Sequence, residues 1–94
     1  MFVAIGTVSL HLPGIGSLKE KRSIVKSLLE RIRARYNVSA AEIGDHDLHG
    51  RTLIGMAAIS ASGDHAQQQI ETVFRFIEET RPDLIWIDSD IELV

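Results

Sequence analysis

The 94-residue chain contains no cysteine, which removes disulfides, thiol nucleophiles and cysteine-held zinc or iron–sulfur centres. Aromatic residues make up only 5% of it: one Trp, one Tyr and three Phe. So thin an aromatic content, without an RNP-like strand, argues against stacking of single-stranded bases on a sheet. No run approaches the ~20 apolar residues that a membrane-spanning helix needs, so no membrane partner is expected. The start, Met1-Phe2-Val3-Ala4-Ile5-Gly6, has neither a basic n-region nor a small-residue cleavage pattern. It reads as a first strand rather than a signal peptide, and the expected location is cytoplasmic. P-loop, G-x-G-x-x-G, H-E-x-x-H, calcium-loop and G-x-S-x-G patterns are all missing. The expectation is therefore a binding domain rather than an enzyme, with no catalytic residues and no cofactor.

What is present is a folding composition, 45% apolar and 24% charged, in a length that allows one domain spanning 1–94. The charge is unevenly distributed. Lys19 to Tyr36 carries seven basic and two acidic residues, net +5, while the remainder carries three basic and eleven acidic, net −8. The overall −3 thus hides a basic element inside an acidic domain.

Alternation predicts a strand over Phe2–Leu12, ended by Pro13-Gly14-Ile15-Gly16. Ser17-Leu18-Lys19-Glu20 has the form of a capping box. Leu18, Val25, Leu28, Leu29, Ile32 and Tyr36 then form one apolar helical stripe. Strands are expected over Val38–Ile43 and Arg51–Ala61, joined by a polar loop from Gly44 to Gly50. Asp64 and Gln67 suggest a second cap, and Ile70, Val73, Phe74 and Ile77 a second apolar stripe that Arg81-Pro82-Asp83 ends. The last strand is expected over Leu84–Leu93, with Ile85, Ile87, Ile91 and Leu93 facing the helices and Trp86, Asp88, Asp90 and Glu92 facing away.

The order β-α-β-β-α-β with right-handed crossovers gives a ferredoxin-like α/β two-layer sandwich: a four-stranded antiparallel sheet with two helices on one face. The other sheet face stays open, carrying His11 and, on this reading, Trp86. An exposed indole there makes a homodimer or a protein partner reasonable candidates.

At ~100° per residue, Lys19, Arg22, Lys26 and Arg33 share one flank of the first helix, with Arg31 and Arg35 on the other. The four aligned cations are candidates for contacting nucleic-acid phosphates; cations at a helix start, against the dipole preference, favour a functional reason. The competing reading is a solvated face, or a dock for an acidic protein. Asp45-His46-Asp47-Leu48-His49 is the densest cluster of potential metal ligands, with Glu42 nearby, and a metal-dependent hydrolase there is a third reading. His46 and His49 are its weak candidates, since polar loops carry Asp and His for solvation alone.

Three runs carry a resemblance: Leu10-His11-Leu12-Pro13, Ser17-Leu18-Lys19-Glu20-Lys21-Arg22 and Ala41-Glu42-Ile43-Gly44-Asp45. With them the chain resembles, over nearly its whole length, the YlxP-like family of small bacterial proteins, a domain of unknown function. Where the family pattern has Asp47 followed by an aromatic–glutamine pair, this chain keeps Asp47 but has His49-Gly50. The resemblance implies a ferredoxin-like domain. Its gene neighbourhood, near ribosome-binding factor A, implies a role around RNA or ribosome maturation, with rRNA or a ribosomal subunit as partner. It brings no reaction, substrate or cofactor. Carried onto this chain, it marks Lys19, Lys21, Arg22, Glu42, Asp45 and Asp47 as interaction candidates.

Overall fold

The computed structural model describes residues 1–94, with β1 (Phe2–His11), α1 (Leu18–Arg35), β2 (Ser39–Gly44), β3 (Arg51–Ser60), α2 (Gly63–Thr80) and β4 (Ile85–Leu93) in that order. The strands form one sheet ordered β2-β3-β1-β4, and every neighbouring pair is antiparallel. This is the ferredoxin-like arrangement expected from the element order. No helix is long and apolar enough to cross a membrane.

Parity along the strands builds the core. Ala4, Val8 and Leu10 of β1 and Ile54, Met56 and Ala58 of β3 are buried under the helices. They meet Val25, Leu28, Leu29 and Ile32 of α1 and Ala66, Ile70, Val73, Phe76 and Ile77 of α2. Gly6 lets α2 approach β1 closely, because a Cβ there would stand 2.4 Å from Ile70 Cγ2. Tyr36 and Phe76 meet edge to face at 5.4 Å between the two helices. Arg35 lays its guanidinium 5.0 Å from the Phe76 ring centre.

Helix starts are set by serines. Ser17 Oγ accepts from Glu20 N–H at 3.2 Å, the forward half of the expected capping box. At α2 the cap is Ser62, whose Oγ accepts from His65 N–H at 3.3 Å, two residues earlier than the Asp64–Gln67 cap expected. Asp64 lies in the first turn instead, where its charge favours the helix dipole.

The largest departure from expectation is in β4. Ser9 pairs with Asp88 but Leu10 pairs with Trp86, so Ile87 is an extra, bulged residue. The bulge reverses the phase at the strand start. Trp86 therefore lies level with Leu10 on the helix side, edge-on to Phe74 at 5.3 Å, while Ile85 and Ile87 are exposed. Trp86 is not an open-face anchor; the bulge sets its half-buried indole against Phe74 on the helix side. Beyond the bulge, Asp88, Asp90 and Glu92 do pair with Ser9, Thr7 and Ile5, on the open face as expected.

Candidate functional site: the basic helix and the corner beneath it

Apart from Arg31 and Arg35 on the far flank, the first helix divides its cations into three groups. Lys21 belongs to the apolar stripe, filling the step between Leu18 and Val25, and its side chain is wholly buried. Such a burial is tolerable only with a partner. Nζ has two: it lies 2.9 Å from Glu42 Oε2 and donates to the Asp45 backbone carbonyl. Glu42 and Thr52 both occupy helix-facing positions, on β2 and β3, and Thr52 Oγ1 donates to the same Glu42 oxygen at 2.5 Å. Asp45 turns into the left-handed region, φ 59°, which aspartate tolerates better than most residues. That turn presents its carbonyl to Lys21, while its carboxylate lies 3.8 Å from Arg51 Nε.

The start of α1 is thus pinned to the corner between β2 and β3. Neighbouring bonds reinforce the corner. His46 Nε2–H donates to Glu42 O at 3.2 Å, and Arg51 donates to Ser9 Oγ at 3.1 Å. His11 Nδ1–H and Leu12 N–H both reach Gly50 O, at 2.8 and 2.9 Å. Lys21, Glu42 and Asp45 are brought together, but Lys21 is sealed from solvent and forms no part of the exposed basic surface. Asp47, His46 and His49 stay exposed on the loop. No group of three or more His, Asp or Glu side chains in the chain is placed to hold a metal ion.

Burial pushes the Glu42 carboxyl up, but the Thr52 and Lys21 hydrogen bonds and the charges of Lys21 and His46 outweigh it. The net effect holds it below the usual carboxylate range. A carboxylate depressed in the folded state contributes stability above its unfolded value, near 4.5, and loses it as pH falls through the folded value. Glu42→Gln is accordingly expected to be less stable than wild type at neutral pH and to lose less on acidification. Urea midpoints measured between pH 7 and pH 3 check this; parallel pH profiles would exclude Glu42 as the titrating group.

Arg33 forms the second group. Its Nε and Nη2 donate to Ala40 O at 3.1 and 2.5 Å, capping the outer edge of β2, which has no strand beyond it. The third group is Lys19, Arg22 and Lys26, all exposed on the flank that Arg33 shares. The chain's ion pairs are Lys21–Glu42, Arg51–Asp45 and Arg81–Asp83, and they leave this trio without a carboxylate. Of the four cations sequence spacing aligned, three remain available and one is occupied at the strand edge.

The family model described as "Protein of unknown function (DUF503)" matches residues 3–91. The uncharacterized protein YlxP of Bacillus subtilis (strain 168) is 43% identical over 63 residues, covering 67% of this chain and 68% of that protein. Among solved structures, a de novo designed protein with ferredoxin fold is similar at TM-score 0.54 and 16% identity, over 100% of this chain and 84% of that one. A dimeric ferredoxin-like protein from an uncultured marine organism is similar at TM-score 0.53 and 9% identity, over 100% and 96%. These structural likenesses establish the fold.

Proposed function

We propose that this chain, which belongs to the DUF503 family of proteins of unknown function, is a non-catalytic accessory domain that docks on RNA phosphates, ribosomal RNA first among them. The observation that carries the reading is the unpaired trio Lys19, Arg22 and Lys26 on one exposed helix flank. At positions i, i+3 and i+7 they span about two turns, ~10 Å, a length that follows successive phosphates of a backbone. The first-turn amides of α1 add their partial positive charge beside Lys19. The carboxylates of β4 lie on the opposite side of the sheet and repel a polyanion there, so approach is confined to the helix layer.

Contacts of this kind read charge and shape, and they carry no base specificity. Co-sedimentation with small and large ribosomal subunits, at low and near-physiological salt, tests the reading. Wild type is expected to bind saturably, and Lys19→Gln/Arg22→Gln/Lys26→Gln to lose binding while melting at the wild-type temperature. Equal binding by both proteins would move the contact off this flank and overturn the assignment.

A further inference from the structure

The open sheet face is graded from acidic to apolar. Across it, strand register sets Ile5 between Ala57 and Glu92, Thr7 between Gly55 and Asp90, and Ser9 between Leu53 and Asp88. Carboxylates therefore line the β4 margin, while Ile5, Ile43 and Ile59 stand 39%, 51% and 53% exposed over the other three strands. The Ile43 side chain lies over Gly55, where an added Cβ would come within 2.9 Å of it. Beside it is a shallow apolar depression of about 370 Å³, lined in part by Ile5, Ala41 and Ala57. Contiguous isoleucines in the middle of an uncovered sheet are unfavourable in water.

We infer that this face is covered by a second copy of the chain, packed sheet on sheet about a two-fold axis that runs along the strands near β3. The charge gradient selects this arrangement. Face-to-face copies relate by an axis lying in the interface, either along the strands or across them. An axis across the strands sets β4 on β4 and brings Asp88, Asp90 and Glu92 against their own copies, a like-charge stack. An axis along the strands reverses the lateral order instead. With β3 on β3, each β1 lies over the other copy's β2, and each β4 falls just outside that β2 edge.

That edge is where Arg33 holds the Ala40 carbonyl, on the flank shared with Lys26. Rotation about the strand direction preserves height along the strand. Thr7 pairs with both Asp90 and Gly55, and Gly55 with Ala41, so Asp90 comes level with Ala41 and the adjacent Arg33 of the second copy. The isoleucines then form a dry centre and the Asp–Arg contacts a polar rim, which is the anatomy of stable interfaces. With β3 over β3 for ~33 Å and β1 over the six-residue β2 for ~20 Å on either side, at ~4.8 Å spacing and with the β4 margin, the face presents on the order of 500 Å² a side. The resulting total of ~1,000 Å² falls in the range of weak, transient contacts, so the dimer is reversible rather than obligate.

Sedimentation equilibrium of the full chain from micromolar to millimolar concentration tests this. Wild type is expected to shift from monomer to dimer. Ile59→Glu should weaken the dimer at least 100-fold with an unchanged thermal melt, since residue 59 is exposed in the monomer. Asp90→Arg and Arg33→Glu should each weaken it at least tenfold, and the two together should restore most of the loss. A wild-type monomer at millimolar concentration, or a dimer indifferent to Ile59→Glu, would overturn the inference. A dimer that Ile59→Glu breaks but whose Asp90/Arg33 pair shows no rescue would overturn the axis.

Discussion

Lys21→Ala is expected to lower the unfolding free energy by about 3–5 kcal/mol, the range for breaking a buried ion pair from one side. The loss comes less from the missing attraction than from what is left behind. Glu42 would keep its charge beside an empty space, and the Asp45 carbonyl would lose its buried donor. Glu42 is 14% exposed at its side chain, so water relieves part of that penalty and places the loss toward the lower end of the range. Even so, at ~4–8 °C per kcal/mol for a domain of this size, the midpoint falls by more than ~10 °C. Lys21→Met restores most of the volume but not the charge. Combined with Glu42→Leu, it should recover much of the stability, because an apolar replacement of both partners removes the desolvation cost of each. Thermal or urea unfolding of the two single variants and the double checks this. Strict additivity would show that Lys21 and Glu42 do not act as a pair.

Gly6→Ala is expected to destabilise by about 1–3 kcal/mol despite alanine being the smallest side chain that could be added. The new Cβ would stand 2.4 Å from Ile70 Cγ2 and 3.2 Å from Met56 Cγ, so α2 must shift or Ile70 must leave its place. Ile70 is fully buried against β1, so neither response is cheap. Ile70→Ala alone should cost about 2–5 kcal/mol through the cavity it leaves. In that background the Gly6→Ala methyl enters vacated space, and the double variant should cost clearly less than the two singles combined. Denaturant midpoints settle it; additive losses would mean that the close approach of α2 to β1 is not what glycine provides.

The fold was readable because each element carries its own period. Leu18, Val25, Leu28 and Ile32 repeat at helical spacing, and the even residues of β1 and β3 alternate apolar along both strands. Trp86 was misplaced because alternation assumes an unbroken strand. The bulge at Ile87 is fixed by how β4 pairs with β1 and by the fit of the indole on Phe74, neither of which is local to the strand. The α2 cap differed because Ser62 and Asp64 are both good caps, and only the path out of β3 decides between them.

The buried corner was more legible than the surface reading of Lys21 allowed. Lys21 falls on the apolar stripe, and Glu42 and Thr52 fall at inward positions of their strands. Three polar residues in core phase signal that they satisfy one another. Arg33 was different: its bond to Ala40 depends on the distance between α1 and β2, which only the packed fold provides. The sequence spacing therefore aligned Arg33 with Lys19, Arg22 and Lys26, and the structure separates it from them.

The most direct test of this division is the salt dependence of binding to a ribosomal RNA fragment, for wild type, Lys19→Gln/Arg22→Gln/Lys26→Gln and Lys21→Met, at a temperature where all three are folded. If the outer trio contacts phosphates and Lys21 only holds the fold, the trio variant should bind weakly. Its slope of log K against log salt should then be shallower by about 2–3, while Lys21→Met keeps the wild-type slope. A trio variant with the wild-type affinity and slope would contradict the account.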